Sequence, residues 1–303
     1  MIETDIKLSN RKNYQIVKKL GQGSNGQVYL LNDLQLGKRW AMKVLPSSQK
    51  EECSILKEMS HPAFPRIVDM WEEEDRVFLV MDYIQGETLQ TLLQERKWSE
   101  PEIVAIGLQI AKALQYLHTF SPMLFYLDLK PENIMMDPNG KIFLIDLGSV
   151  FRQGEKGRIS GTVGYASPEQ ISYGRKETSI TNQSDIYSLG MVLYSLLLQK
   201  NKGLPIMEET SPNGFWISRL TSQVSKPMEQ IIEGCTRGRL EKRTRYIENV
   251  IQDLEELGKK WQKKGPAFVL KHPFFSGFQP GKRKQYWTQE VGVLLSQGTP
   301  MWL

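Results

Sequence analysis

Residues 126–133 have the sequence Tyr-Leu-Asp-Leu-Lys-Pro-Glu-Asn, and residues 146–148 have the sequence Asp-Leu-Gly. Two short apolar segments, 134–136 and 142–145, lie between these stretches and predict a pair of strands. The Asp-Pro-Asn-Gly sequence at 137–140 is typical of a tight turn. The region therefore predicts a loop, a short hairpin and a second loop.

The polar side chains of the two loops indicate a chemistry. A hairpin between the loops would hold Asp128, Asn133 and Asp146 around one cleft. Two carboxylates and an amide offer the oxygen ligands that a hard cation such as magnesium prefers. A further acid within reach could orient a hydroxyl nucleophile, which indicates phosphoryl transfer. The alternative is a surface loop with scattered acids, and the rest of the chain decides between the two.

Length and composition fit a globular chain of one large domain or two lobes. The two cysteines, Cys53 and Cys235, do not suggest a disulfide framework, so we expect a reducing compartment. No segment approaches the ~20 apolar residues of a membrane span, and residues 1–13 lack the apolar core of a signal peptide. We therefore expect a cytoplasmic location.

The net charge of +5 is concentrated at one end of the chain. Residues 259–303 carry eight basic residues and one acidic residue, whereas residues 1–258 carry 31 basic and 33 acidic residues. Because the body of the chain is nearly neutral, its charge does not support a role in nucleic-acid binding.

A glycine-rich segment follows the strand predicted at 14–20, and it contains Gly21, Gln22, Gly23, Ser24, Asn25 and Gly26. Glycines at this spacing allow backbone N–H groups to approach phosphates without interference from a Cβ atom. The same spacing also opens dinucleotide-binding folds, but those require a helix directly after the glycines. Here residues 27–31 predict another strand, which favours a hairpin that covers a nucleotide.

Several segments resemble motifs of protein kinases. The loop at 126–133 is similar to their catalytic loop, His-Arg-Asp-x-Lys-x-x-Asn, but begins Tyr-Leu-Asp. The Asp-Leu-Gly at 146–148 resembles their metal-binding Asp-Phe-Gly. Residues 161–169, Gly-Thr-Val-Gly-Tyr-Ala-Ser-Pro-Glu, resemble the substrate-docking segment of serine/threonine kinases, with Ser167 in place of alanine.

Two more positions match the family. Asp185 opens an apolar helix where kinases have an aspartate that caps backbone N–H groups of the catalytic loop. Arg243 lies where their arginine pairs with the glutamate of the docking segment, here Glu169. On these motifs, in this order, the chain is identified as a member of the eukaryotic-like protein serine/threonine kinases over roughly residues 14–258. The Tyr-x-Asp loop is similar to that of bacterial members.

The resemblance implies an α+β fold with two lobes. The N-lobe, 14–85, would hold a five-stranded antiparallel sheet and one main helix, and the C-lobe, 86–258, would be mainly helical. Apolar runs predict the five strands at 14–20, 27–31, 39–45, 66–71 and 76–81. Helices are expected at 49–59, 87–96 and from Ser99 to His118, with a cap and a proline suitably placed at the start of the last one.

The resemblance also implies how magnesium-ATP would bind between the lobes. The phosphates would lie under the glycine loop and against Lys43, although a lysine in an apolar strand can also extend to solvent. Glu52 would hold this lysine, with Glu51 and Glu58 as rivals on the same charged helix. The hinge, 82–86, would bind adenine through backbone groups. Other residues expected around the nucleotide are Val28, Ala41, the gatekeeper Met81, Asp82 and Ile84.

The catalytic roles follow from the same resemblance. Asp128 would orient the substrate hydroxyl and accept its proton, while Lys130 would neutralise the transferring phosphoryl group and point to serine or threonine targets. Thr162 would hydrogen-bond both residues. Asn133 and Asp146 would coordinate magnesium.

Three functions are compatible with such a fold: an active protein kinase, a pseudokinase that acts as a nucleotide-binding scaffold, and a small-molecule kinase such as an aminoglycoside phosphotransferase. The docking segment at 161–169 argues against the third. The chemical groups of Lys43, Asp128, Asn133 and Asp146 are all present, which argues against the second. The sequence therefore favours an active kinase that acts on protein hydroxyls.

Leu127 predicts an unusual mode of regulation. Many protein kinases have an arginine before the catalytic aspartate, and its guanidinium binds a phosphate on the activation segment. Leucine has neither donor nor charge. We therefore expect activity without phosphorylation of that segment, unless other basic residues build the clamp.

The final segment, 259–303, contains eight aromatic residues among its basic ones. Such a composition is too aromatic for a linker. We expect it to pack on the catalytic domain, with an anionic membrane or an acidic partner protein as the alternatives.

Overall fold

The computed structural model describes residues 13–23, 26–47, 57–155, 159, 161–173, 179–199 and 224–262. Outside these residues lie Ser24 and Asn25 of the glycine loop, Glu52 with most of its predicted helix, and the aromatic tail beyond Gln262. The chain divides into two compact units. The first ends at Gly86 and also includes Phe143–Gly148, and the second comprises Glu87–Ile142 and the chain from Ser149 onward.

The first unit contains the predicted five-stranded antiparallel sheet, in the order β1-β2-β3-β5-β4. Its strands are β1 (Tyr14–Gly23), β2 (Gly26–Asp33), β3 (Lys38–Pro46), β4 (Ile67–Glu73) and β5 (Arg76–Asp82). Each strand is within a few residues of its predicted position, because every one is a short apolar or alternating run bounded by polar turn residues.

One face of this sheet carries a hydrophobic cluster. Its buried members are Tyr29, Leu31, Trp40, Met42, Val44, Phe78 and Val80. These residues alternate along three neighbouring strands, so their side chains leave the same face. Trp71 extends the cluster by stacking on Phe78 with ring centroids 5.0 Å apart. The side chains of the intervening residues of these strands lie on the opposite face of the sheet.

The second unit is mainly helical within its described residues, as predicted. Its helices are α1 (Leu89–Glu95), α2 (Glu100–His118), α3 (Pro168–Ile171), α4 (Asn182–Leu198), α5 (Lys226–Cys235) and α6 (Ile247–Gln262). Helix α2 begins where Ser99 and Glu102 form a capping box, in which the Ser99 N–H donates to Glu102 Oε2 at 2.8 Å. Helix α4 is buried almost throughout and packs against α2, α5 and α6. A Cβ atom at Gly190 would lie 2.6 Å from Cys235 Cβ, so glycine permits the close approach of α5.

Two small sheets are also present. One joins β6 (Glu87–Thr88), β8 (Ile134–Met136) and β9 (Ile142–Leu144), and the other joins β7 (Leu124–Phe125) to β10 (Phe151–Arg152). The predicted turn between β8 and β9 is present. In it, Asp137 Oδ1 accepts hydrogen bonds from the N–H groups of Asn139 and Lys141, at 2.8 and 2.9 Å.

The start of helix α1 differs from the prediction over 87–96. Glu87 pairs with Met136 in a β-ladder, and Thr88 caps the helix by accepting a hydrogen bond from the Thr91 N–H at 3.1 Å. A strand of two residues depends on a partner distant in sequence, which a local pattern does not reveal. No helix within the described residues is long and apolar enough to span a membrane.

Candidate active site

The glycine loop is a hairpin whose strands meet at the paired residues Gly23 and Gly26. Gly26 has a φ of 136°, and a Cβ atom there would lie 2.2 Å from the carbonyl oxygen of Val44, so only glycine fits. Around Gly21 the position of a Cβ atom has no neighbour within 4 Å. Gln22 lies opposite Gln27 in the ladder. Glycine at positions 21, 23 and 26 leaves the backbone at these three described positions without side chains, as a phosphate-binding loop requires.

The sheet register places four of the predicted nucleotide residues on one face. Lys43 pairs with Val28 on one side and Leu79 on the other, and Ala41 pairs with Met81. Paired residues of antiparallel strands share a face, and so do residues two apart along a strand. Val28, Ala41, Lys43 and Met81 therefore lie opposite the hydrophobic cluster.

Lys43 forms an ion pair with Asp146. Its Nζ lies 2.7 Å from Asp146 Oδ1, and the two side chains are 12% and 28% exposed. The same oxygen accepts a hydrogen bond from the Gly148 N–H at 3.2 Å, which orients the carboxylate within the Asp-Leu-Gly loop. The predicted partner of the lysine, Glu52, lies outside the described residues.

Asp82, at the start of the predicted hinge, is bound by Arg66. The guanidinium donates to both carboxylate oxygens at 2.9 and 3.1 Å, and the Arg66 N–H adds a third bond at 3.0 Å. Because Arg66 binds both oxygens of this carboxylate, we expect Asp82 to contribute to nucleotide binding through its backbone groups. Ile84 lies in the following loop and is half-buried.

The catalytic loop contains a closed network around Asp128, whose side chain is almost fully buried. Thr162 Oγ1 donates to Asp128 Oδ1 at 2.7 Å, and Lys130 Nζ donates to Asp128 Oδ2 at 2.8 Å. Lys130 also donates to Thr162 Oγ1 at 2.7 Å. The structure thus brings together the three residues predicted to be catalytic.

Asn133 completes this network. Its Nδ2 donates to the backbone oxygen of Asp128 at 2.8 Å and to Asp128 Oδ2 at 2.9 Å. These two bonds use the amide nitrogen, and so the carbonyl oxygen of the side chain is directed elsewhere.

The donor set fits magnesium. The predicted ligands Asp146 and Asn133 have a carboxylate and an amide oxygen, and Mg²⁺ is usually held by oxygen ligands, one or two carboxylates together with substrate phosphates. Within the described part of the chain, no group of three or more His, Cys, Asp or Glu residues forms a cage for a metal ion.

Asp185, at the start of helix α4, holds the backbone that leads to Asp128. Its carboxylate accepts hydrogen bonds from the N–H groups of Tyr126, at 2.9 and 3.1 Å, and of Leu127, at 2.9 Å. His118 Nε2 lies 2.9 Å from Asp185 Oδ2, and both side chains are buried. This confirms the predicted cap.

A comparison with protein families decides the identity of this arrangement. The model of the protein kinase domain matches residues 14–254. The chain belongs to the protein kinase family. The match spans both the glycine loop and Arg243, so the kinase carries the motifs of the family in their expected order.

Curated relatives of this kinase come from yeasts, vertebrates and bacteria. It is 32% identical to "cAMP-dependent protein kinase type 3" of Saccharomyces cerevisiae over 196 residues, 61% of this chain and 48% of the relative. It is 29% identical to "Carbon catabolite-derepressing protein kinase" of Candida glabrata, over 67% of this chain and 35% of the relative. It is 26% identical to "Serine/threonine-protein kinase PknD" of Protochlamydia amoebophila, over 80% of this chain and 29% of the relative. The kinase thus spans about a third to a half of the length of these relatives.

The docking segment of the kinase is anchored by a buried ion pair. Arg243 donates to both carboxylate oxygens of Glu169, at 2.6 and 3.0 Å, and its side chain is fully buried. Ser184 Oγ adds a bond to Glu169 at 2.8 Å. Burial raises the pKa of the Glu169 carboxyl, but the hydrogen bond and charge of Arg243 outweigh it and hold the pKa below its ordinary value. The predicted pairing is confirmed.

Sequence analysis of the kinase missed two residues that contact these motifs. Arg66 has no local signal, because its partner Asp82 lies sixteen positions away. Gln170, which follows the docking segment, donates to the backbone oxygen of Leu127 at 2.8 Å. The Ser-Pro-Glu-Gln sequence that ends in Gln170 is a helix-start pattern, and it could have indicated the restraint on this side chain.

Proposed function

We propose that this kinase transfers the γ-phosphoryl group of ATP to serine or threonine hydroxyls of proteins. The observation that carries the proposal is the closed network of Asp128, Lys130, Thr162 and Asn133, in which every polar side chain has a partner that orients it. Fold alone does not imply activity, but this site retains the groups that phosphoryl transfer requires.

In the proposed reaction, Asp128 orients the hydroxyl of the substrate and accepts its proton. The hydroxyl oxygen forms a bond to the γ-phosphorus, while the bond from that phosphorus to the β,γ-bridging oxygen breaks and ADP leaves. Lys130, 2.8 Å from Asp128, supplies positive charge beside the transferring group. Positioning and electrostatics then provide most of the rate acceleration.

The nucleotide is assigned to the glycine loop and to the sheet face that carries Lys43. The Lys43 ammonium would bind the α- and β-phosphates, and the backbone of residues 82–84 would bind adenine. We assign Asp146 and Asn133 as ligands of magnesium, which when bound neutralises charge on the phosphates. Asp146 is already oriented by Lys43 and Gly148.

Incubation with labelled ATP, magnesium and a generic protein acceptor tests the function. We expect transfer of label, with phosphoserine or phosphothreonine after acid hydrolysis of the product. Binding of ATP without transfer to any acceptor would instead support a scaffolding pseudokinase. Label on small molecules but not on protein would support the small-molecule alternative.

We propose further that activity does not need a phosphate on the activation segment. Leu127 occupies the position of the arginine that binds such a phosphate, and this residue is only 1% exposed. A buried leucine leaves no cation at this position that a phosphate would neutralise. Within this segment, residues 146–169, strand β10 pairs with β7, and the Gln153 N–H donates to the Met123 oxygen at 2.8 Å. Both contacts join backbone groups.

The kinetics of dephosphorylated protein test this second proposal. Phosphatase-treated enzyme, shown by mass spectrometry to be unmodified, should phosphorylate substrate from the first turnover without a lag. The reason is that the loop before Asp128 is already held without a phosphate, by hydrogen bonds to Asp185 and Gln170. A pronounced lag that prior autophosphorylation at Ser160 or Thr162 removes would contradict it.

The remaining assignments are proposals of the same kind. We propose lobe limits near residues 85 and 258, a cytoplasmic location, and a tail at 259–303 that packs on the catalytic domain rather than on an anionic membrane or an acidic partner.

A further inference from the structure

The residue before the catalytic aspartate lies in a strained turn. Leu127 has a φ of 60°, which a branched, bulky side chain rarely adopts. The N–H of Asp128 donates to the oxygen of Tyr126 at 2.9 Å, across a single residue. A bond of this span with positive φ at the central residue is the rare form of the γ-turn. Such a conformation persists only where the surrounding structure holds it.

Two side chains hold this turn from opposite ends. Asp185 accepts a hydrogen bond from the Leu127 N–H at 2.9 Å, and Gln170 Nε2 donates to the Leu127 oxygen at 2.8 Å. The Leu127 oxygen belongs to the peptide group that leads into Asp128. The Gln170 amide therefore sets the orientation of the peptide from which the catalytic carboxylate extends.

The Gln170 amide is itself fixed in place. Its Oε1 accepts hydrogen bonds from the N–H of Ser167, at 3.0 Å, and from the Ser167 hydroxyl, at 3.1 Å. Gly161 provides the space, because a Cβ atom there would lie 3.2 Å from Gln170 Nε2 and 2.8 Å from Ala166 Cβ. Both Ser167 and Gln170 are buried, so water does not compete for these bonds.

We infer that Gln170 is a positioning residue for the transfer reaction, because it maintains the strained Leu127 turn and so the placement of Asp128. The inference rests on the proposed kinase function and adds a regulatory consequence to it. The docking segment and the catalytic loop are coupled through a neutral amide, at the residue where other kinases use a charged arginine. Serine at position 167, in place of the alanine usual at this position, is explained as the restraint on that amide.

The replacement Gln170→Leu tests this role, since leucine keeps the approximate volume and removes both ends of the amide. We expect kcat to fall about 10- to 100-fold, as for a small misplacement of a reacting group. The KM for ATP should be unchanged, because the Gln170 bonds given above go to Leu127 and Ser167, which are not among the predicted nucleotide residues. Ser167→Ala keeps the backbone donor to Oε1 and should lower kcat less than about threefold.

Gln199→Asn is the control, because Gln199 has a φ of 57°, which asparagine tolerates better than leucine, and the shorter side chain withdraws the amide. The amide of Gln199 also bonds backbone groups of another segment, the N–H and oxygen of Trp98, both at 3.2 Å, but it has no contact with the catalytic loop among the described residues. Its loss should affect thermal stability as much as the loss of Gln170 while leaving kcat near that of the wild type. Equal kcat in the two variants, in an active wild type, would overturn the inference but leave the kinase function intact.

Hydrogen exchange provides a readout that does not depend on activity. The Asp128 amide, protected by the Tyr126 oxygen, should exchange faster in Gln170→Leu than in the wild type and in Gln199→Asn. Unchanged exchange at this amide would overturn the inference even if the wild type transferred no phosphate. Absence of transfer by the wild type would contradict the proposed function instead.

Discussion

Asp128→Asn is expected to lower kcat by about 10²- to 10⁴-fold, the usual contribution of a positioned general base. The amide can still occupy the site, but it has no carboxylate to accept the proton of the hydroxyl and offers one acceptor atom instead of two. Thr162 and Lys130 now bond separate oxygens of Asp128, so one of these bonds is also lost. Steady-state rates and titration with a fluorescent ATP analogue measure the two effects separately, and nucleotide affinity should stay within about twofold.

Two controls accompany this variant. Asp75→Asn alters an exposed aspartate in a turn with a φ of 56°, a conformation that asparagine tolerates, and should leave the rate unchanged. Asp146→Asn should instead weaken magnesium-dependent nucleotide binding. If Asp128→Asn transferred phosphate as fast as the wild type, the active-kinase proposal would fail.

Arg243→Met should lower the free energy of unfolding by about 3–5 kcal/mol, because it leaves a buried carboxylate without its cation. Glu169 would keep only the Ser184 hydroxyl among the bonds described above. The backbone oxygens of Arg237, Gln183 and Gly238 would also lose a guanidinium donor. Thermal and denaturant unfolding measure the loss.

Arg237→Met is the matched control for this loss of a charge. Arg237 pairs with Glu233 one helical turn away, and both side chains are about one-third exposed, so its removal should cost less than about 1 kcal/mol. The Arg237 backbone oxygen that Arg243 uses is not altered. Similar losses in the two variants would show that the buried pair does not anchor the docking segment.

The dependence on pH adds a second readout. Since the pKa of Glu169 is lower in the folded protein than in the unfolded chain, the stabilisation is fully present above the ordinary carboxylate pKa of about 4.3. It is lost as pH falls through the folded value. The difference in stability between wild type and Arg243→Met should therefore shrink under acid and remain constant near neutral pH.

Local patterns predicted the elements whose causes are local. The five strands and helix α2 come from apolar periodicity, and the turn at 137–140 and the Ser99 cap come from side chains that bond their own backbone. The strands β6, β7 and β10 have two residues each and form only by pairing with strands distant in sequence, so no local periodicity predicts them. The same reason explains why helix α1 begins at Leu89 rather than at the predicted Glu87.

The residues of the candidate site also divide into those with a local signal in the sequence and those without one. Asp128, Asn133 and Asp146 are recognisable from spacing, and the sheet register brings Val28, Ala41, Lys43 and Met81 to one face, as alternation along the strands allows. The contact of Gln170 with the Leu127 oxygen spans 43 positions and depends on a strained φ that leucine does not predict. A side chain that bonds backbone atoms of a distant segment cannot be recognised from its residue type.

The supports of the catalytic loop also bear on the order in which the protein folds. Tyr126 and Leu127 are held by Asp185, 59 and 58 positions later in the chain, and Asp128 is held by Thr162, 34 positions later. Contacts of this length form after the loop-closure entropy of the intervening chain has been overcome. The γ-turn at Leu127 is unfavourable by itself, so it does not form before these contacts. During synthesis, the catalytic loop therefore leaves the ribosome well before the residues that hold it. The loop becomes competent for catalysis only after helix α4 has packed against it.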